Sequence, residues 1–152
     1  MNIHDSNHPA HNAITYEYAG FWLRLVANII DAILWALISL PLLYLIYGNA
    51  YFSNPQPFAG GFDVILSTVL PAILSVVFWL KKDATPGKML LGLKVLDANT
   101  GNRLTPAQAI LRYFGYFVSA FVLFLGYIWV GIDKKKQGWH DKIAKTVVVR
   151  ER

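Results

Sequence analysis

Cysteine is absent from the 152 residues, which excludes a disulfide framework and thiolate metal or redox chemistry. Charge is scarce too: charged side chains make up 15% of the chain, against about a quarter in soluble domains. Acidic residues are the rarer sign, 9 Asp and Glu against 14 Lys and Arg, for a net charge of +5. The basic residues stand at the ends of apolar runs, where they read as topology signals rather than nucleic-acid contacts. The segment 48–63 contains no Lys or Arg. Also missing are a Ser/His/Asp set with a nucleophile elbow and metal-ligand spacing on a rigid element. Lys88 follows Pro86-Gly87 without the upstream glycine of a phosphate-binding loop. The expectation is a protein with no enzymatic activity and no cofactor. The N-terminus lacks a basic region leading into an apolar core and a small-residue cleavage site, so the first apolar run is not read as a removable signal peptide.

What is abundant is apolar surface, 55% of the residues. From Leu25 to Tyr47 the strongly polar side chains are Asn28, Asp31 and Ser39, so the run is long enough to cross a hydrocarbon core as a helix spanning about residues 23–47. Arg24, Asn28 and Asp31 fall at i, i+4 and i+7, on one stripe of that helix. An ionised carboxylate at mid-helix costs about 2.5–3.5 kcal/mol on insertion scales, so Asp31 requires a protein neighbour, water or a bound proton. Arg24, at the helix end, can snorkel to the interface. Two readings of the stripe stand: an ion or proton route, or a structural ion pair that fixes helix packing.

Residues 1–15, with His4, His8 and His11, lack apolar periodicity and read as a flexible polar tail with no fixed metal geometry. Tyr16, Tyr18, Phe21 and Trp22 gather as an aromatic belt marking the interface. Pro41 is a kink point of the first span. Asn54-Pro55, Pro57 and Gly60-Gly61 mark a loop, and Val64 to Leu80 is a second span, with Pro71 a kink whose missing hydrogen bond Ser67 or Thr68 can help satisfy. Thr85-Pro86-Gly87-Lys88 reads as an N-cap threonine and an N1 proline starting a short helical turn ended by Gly92. Leu93 to Asp97 predicts a strand that turns through 98–102 into Arg103-Leu104, a hairpin over 93–104. Thr105-Pro106-Ala107-Gln108 is a capping box opening a helix at Pro106.

The apolar stretch Tyr113 to Ile132 separates two basic segments, so one crossing would export one of them against the positive-inside tendency. Thr146 to Val149 also predicts a strand, too short to stand alone, whose partner is 93–97. Both arguments predict a break near Gly126 and a re-entrant or bent helical hairpin over 106–136. In the tail, Lys134-Lys135-Lys136 suits topology and anionic lipid headgroups, at about 1 kcal/mol per basic residue. His140-Asp141 admits three roles: a tuned imidazole, a pair between Asp141 and Arg24, or a cap on the turn 142–145. The fold class is thus an all-α membrane protein, two transmembrane helices plus a bent helical hairpin, with a small sheet of 93–104 and 146–150.

Gly20-Phe21-Trp22 with Arg24, Ala27 and Ile30-Asp31, then Thr85-Pro86-Gly87-Lys88 with Gly92-Leu93-Lys94-Val95, then Gln137-Gly138-Trp139-His140-Asp141 with Ala144 and Thr146 to Val149, resemble the RDD family. The resemblance runs from Gly20 onward over a domain of 16–152. It implies that the family's arginine and first aspartate are Arg24 and Asp31. Its second aspartate falls on Asp141, with Asp133 the competing position. Lys145 departs from the glycine expected before the threonine. The resemblance also implies a bacterial inner-membrane protein transporting some ligand, with cation or proton exchange one candidate and homo-oligomerisation its corollary. The alternative is an accessory or scaffold module that binds a protein partner or anionic lipid, its Arg/Asp set structural. Arg24, Asn28, Asp31, His140 and Asp141 form the candidate polar cluster, and Thr85 to Lys88 a secondary motif. Both termini are expected in the cytoplasm.

Overall fold

The computed structural model describes residues 16–54, 60–122 and 125–151; the tail expected at 1–15 lies outside them. The chain runs through β1 (Tyr16–Tyr18), α1 (Phe21–Tyr47), α2 (Ala50–Ser53) and α3 (Gly61–Val64). A π-helical stretch, Ile65–Val69, leads into α4 (Leu70–Lys82). Then follow α5 (Pro86–Leu90), β2 (Leu93–Asp97), α6 (Pro106–Phe121) and α7 (Leu125–Ile128). A 3-10 turn at Trp129–Gly131, α8 (Trp139–Ala144) and β3 (Thr146–Glu151) complete it.

Two helices, Phe21–Tyr47 and Gly61–Lys82, are long and apolar enough to cross a membrane. They carry their apolar side chains outward: Leu37 is 68% exposed and Leu45 79%. Such a surface is costly in water and suited to lipid. The second helix includes the π turn directly before Pro71, so the proline's missing N–H falls where the ladder is already re-registered. The hydroxyl of Ser67 donates to Asp63 Oδ1 at 2.9 Å, so it is not the group that compensates for Pro71. Pro41 lies inside α1, which continues to Tyr47.

The sheet is three-stranded and antiparallel in the order β1-β3-β2. β3 is central, with Val148 opposite Val95 and Val147 opposite Leu96. Because side chains alternate across a strand, Val148, Val95 and Leu93 pack with Ala27, Trp79 and Ala109 of the helices, while Val147, Val149 and Leu96 are covered by Tyr16 and Tyr18. Tyr16 and Tyr18 belong to a strand, paired with Glu151 and Val149. The β2–β3 pairing is as expected, but the return strand at 103–104 does not form. The outer edge of β2 is already occupied, since Val95 N–H donates to the Asp83 carbonyl at 2.6 Å. Thr105 then caps α6 at once, its side chain and that of Gln108 forming the reciprocal capping box.

α6 and the segment Leu125–Gly131 are inclined at 111°. The bend falls after Phe121, before Gly126. Gly126 serves a different end: a Cβ there would stand 2.6 Å from Ser119 Oγ, so its bareness lets the returning limb lie against α6. Lys145 closes α8 in the left-handed region, φ 54°. Glycine takes that conformation without a Cβ penalty, which is the physical content of the glycine expected there.

Candidate functional site

The polar residues of α1 make their hydrogen bonds to two different sets of partners. Arg24, 6% exposed, extends towards α8. Its Nε donates to the Ala19 carbonyl at 2.9 Å, and its terminal nitrogens donate to Asp141 Oδ2 and to the Lys136 carbonyl. Asp141 is fully buried. Its other oxygen, Oδ1, accepts from Arg112 of α6, and its Oδ2 also accepts the Gly138 N–H at 3.0 Å, capping α8. Of the roles open to Asp141, the pair with Arg24 and a helix cap are both realised, the cap on α8 rather than on the turn 142–145. Asp133 instead accepts from the backbone of Lys135 and Gln137 and pairs with Lys142 at 2.7 Å.

Arg112 is the residue that sequence reading passed over. Its single visible signal was a charge at the seventh position of a helix opening at Pro106, and only folding shows that α6 aims it inward. It is 1% exposed, donates to Asp141 and to Thr146 Oγ1, and lies 5.3 Å from the ring centre of Trp79 and 5.7 Å from that of Tyr116. Both guanidiniums thus converge on one carboxylate and tie α1, α6, α8 and the start of β3 together. Removing one member of such a buried set costs about 3–5 kcal/mol, because a charge is left without its partner.

Burial favours the protonated form of Asp141, but Arg112 and Arg24 outweigh it and hold the carboxyl well below the usual carboxylate range. His140 goes the other way. Burial lowers its pKa to about 3, with Asp141 opposing and Arg112, Arg24 and Lys88 reinforcing the shift. The imidazole stacks on Tyr116 at 4.3 Å, and its Nδ1 faces Ser119 Oγ at 3.2 Å. It is a neutral packing group at ordinary pH. Gly115 admits it, since a Cβ there would stand 2.7 Å from His140 Cα.

Asp31 belongs to the second group. It accepts from Thr85 Oγ1 at 2.5 Å and from the Gly87 N–H at 2.6 Å, and Lys88 Nζ donates to Asn28 Oδ1 at 3.0 Å. Thr85 was expected to cap α5 with its own side chain; that hydroxyl goes to Asp31 instead. Gly87 makes the contact possible, because a Cβ there would meet the Ala27 carbonyl oxygen at 2.1 Å. The Thr85 to Lys88 motif is therefore the docking partner of the α1 stripe. Asn28, Asp31, Thr85 and Lys88 form the polar end of a cavity of about 800 Å³ between α1, α4, α5 and α6. Its remaining walls are largely apolar, among them Trp35, Ile38, Leu74 and Phe78.

Among the described residues, no group of His, Asp and Glu gathers as a metal site. No solved structure matches the chain significantly. The chain is 35% identical to the uncharacterized protein YxaI of Bacillus subtilis over 86% of its own length and 96% of that protein's. It is 32% identical to the uncharacterized membrane protein YteJ of the same organism, over 91% of this chain and 85% of that one. It is also 37% identical to the uncharacterized protein RP437 of Rickettsia prowazekii, over 57% and 49% respectively. The family model of the RDD family matches residues 18–145. With the two apolar helices, these matches make the protein a membrane protein, and the chain belongs to the RDD family.

Proposed function

We propose that the chain is a multi-pass protein of the bacterial inner membrane that carries a small ligand or exchanges a cation for protons, with Asp31 as its binding carboxylate. The observation behind this reading is the position of Asp31 at the polar end of the apolar cavity, bonded to a hydroxyl and a backbone N–H and outside the Arg24–Asp141–Arg112 set. A carboxylate that lines a cavity can meet a cation, whereas Asp141 is enclosed by its own partners. Arg24, Asp141, Arg112 and His140 are then the frame, and Asp31, Asn28, Thr85 and Lys88 the working group.

The sheet supports a topology for this protein. It joins 16–18, 93–97 and 146–151, so all three lie on one side of a bilayer. Two crossings, α1 and Gly61–Lys82, return the chain from the first segment to the second. The interval 98–145 then crosses an even number of times, which the bend after Phe121 satisfies as a re-entrant pair. The basic content of 81–112 and of the tail puts that side in the cytoplasm. The lysines of the tail face anionic lipid headgroups, and a homo-oligomer supplies the rest of a pathway that one small bundle does not enclose.

The test is pH-gradient-driven cation flux in liposomes holding equal amounts of folded wild type or Asp31→Asn. Flux in wild type that disappears in the variant supports the reading. Absence of flux above empty liposomes sinks its cation-exchange form. A variant that conducts like wild type removes Asp31 from the route.

A further inference from the structure

A second, smaller cavity of about 30 Å³ lies next to the first. That exceeds the roughly 10–15 Å³ that one water-sized occupant needs. It is bounded by Arg24, Lys88, Arg112, Asn28, Tyr116 and His140 among others, and no described carboxylate lines it. Asn28, Lys88, Tyr116 and Tyr127 line both cavities.

The cations around this cavity outnumber what the fold supplies to balance them. Arg24 and Arg112 share a single carboxylate, Asp141. Lys88 is 3% exposed and forms no ion pair within 4.0 Å among the described residues; its ammonium donates to the neutral Asn28 amide. Asp31, the other carboxylate nearby, is bonded to Thr85 and Gly87. A buried ammonium without a counter-ion carries a desolvation cost of several kcal/mol. Burial favours loss of the Lys88 proton, and Arg112 and Arg24 add to it, while Tyr116 and Asp31 oppose it without reversing the direction. Independently of Lys88, Arg112 Nε is a buried donor with no hydrogen-bond partner, although the same guanidinium has partners on both terminal nitrogens. A cavity bounded by three cationic side chains, one of them an ammonium bonded to a neutral amide, and by no described carboxylate offers charged donors to an anion and no anionic ligand to a cation.

We propose that this cavity binds a small monoanionic group between Lys88, Arg112 and Arg24. Such a group balances the surplus charge and gives Lys88 an anionic partner. Two sources supply that chemistry. One is a free halide-sized anion; the other is the carboxylate head of a single-chain amphiphile whose hydrocarbon chain lies in the adjoining apolar cavity. The proposal does not depend on Asp31 carrying an ion.

The experiment uses the full chain in nanodiscs of zwitterionic lipid, with thermal unfolding followed at constant ionic strength. Bromide replaces gluconate in one arm, and decanoate is compared with decanol in the other. The expected result is a saturable rise in Tm with bromide, with decanoate over decanol, or with both. A rise with bromide identifies the free anion, and a rise confined to decanoate the amphiphile. Lys88→Met should weaken the apparent affinity at least about tenfold, the effect of losing one charge-assisted hydrogen bond, while Lys88→Arg retains it. Circular dichroism and gel filtration of each variant separate loss of binding from loss of fold. The proposal is overturned if wild type gains no stability from either anion, or if well-folded Lys88→Met responds as wild type does.

Discussion

Asp31 and Asp141 are the same side chain in two electrostatic situations. Asp141 is closed in by two guanidiniums and a backbone N–H, so its charge is a fixed element of the frame. Asp31 has one hydroxyl and one N–H and lines a cavity. His140 shows what the same frame does to a base. Its folded pKa of about 3 lies below the ordinary 6.5, so folding favours the neutral ring. The associated stability is fully present above pH 6.5 and is lost as pH falls from there towards 3. Asp141 adds nothing in the upper part of that window, because its own shift acts below the usual carboxylate range. Stability of the detergent-solubilised protein should therefore drop by roughly 1–2 kcal/mol between pH 7 and 5. His140→Phe, which keeps a ring against Tyr116, should flatten the dependence of Tm on pH over that interval; an unchanged slope would remove His140 as its origin. The other histidines, His4, His8 and His11, lie outside the described residues.

At the scale of elements, Gly87, Gly115 and Gly126 each stand where a neighbouring element leaves no room for a Cβ. α5 is only five residues long and touches α1 through Gly87, where the backbones are too near for any side chain. Gly87→Ala forces the two helices apart and loosens both bonds to Asp31. The expected cost is about 1–3 kcal/mol, the usual range for overpacking a close contact. A fall in Tm and in folded yield measures it, and a variant as stable as wild type would show that α5 does not seat on α1 this tightly. The Thr105–Gln108 box and the Gly87 contact differ in legibility. A capping box is a local rule that four consecutive residues satisfy or fail. A helix-to-helix contact over 60 positions of sequence has no such signature, and Gly87 looked there like part of a turn.

For the whole molecule the consequential fact is that one sheet ties together three segments far apart in the chain. Single-cysteine variants test the resulting sidedness cleanly, because the chain has no native cysteine. In intact cells an impermeant thiol reagent should label Ser53→Cys, at the exposed end of α2, and leave Lys135→Cys untouched until the membrane is opened. External labelling at Lys135 would make 106–131 a full crossing and would require the sheet to break.

Hydropathy, charge placement and cap chemistry determined much of this protein by themselves. They located both long helices, the start of α6, the need for a bend in 113–132 and the pairing of 93–97 with 146–149. Each of these rests on local composition or on the counting of strands and sides. The tertiary structure decided the partners that sequence had left open or had not suggested. It turned Arg24 to Asp141 instead of along its own helix to Asp31 and brought Arg112 into the same set. It placed 16–18 on the free edge of β3, and it filled the edge of β2 where a return strand was expected. The physical reason is common to all four. A long charged side chain or an open strand edge has an unmet bonding requirement that sequence makes visible, but which group meets it depends on backbones that approach from distant parts of the chain.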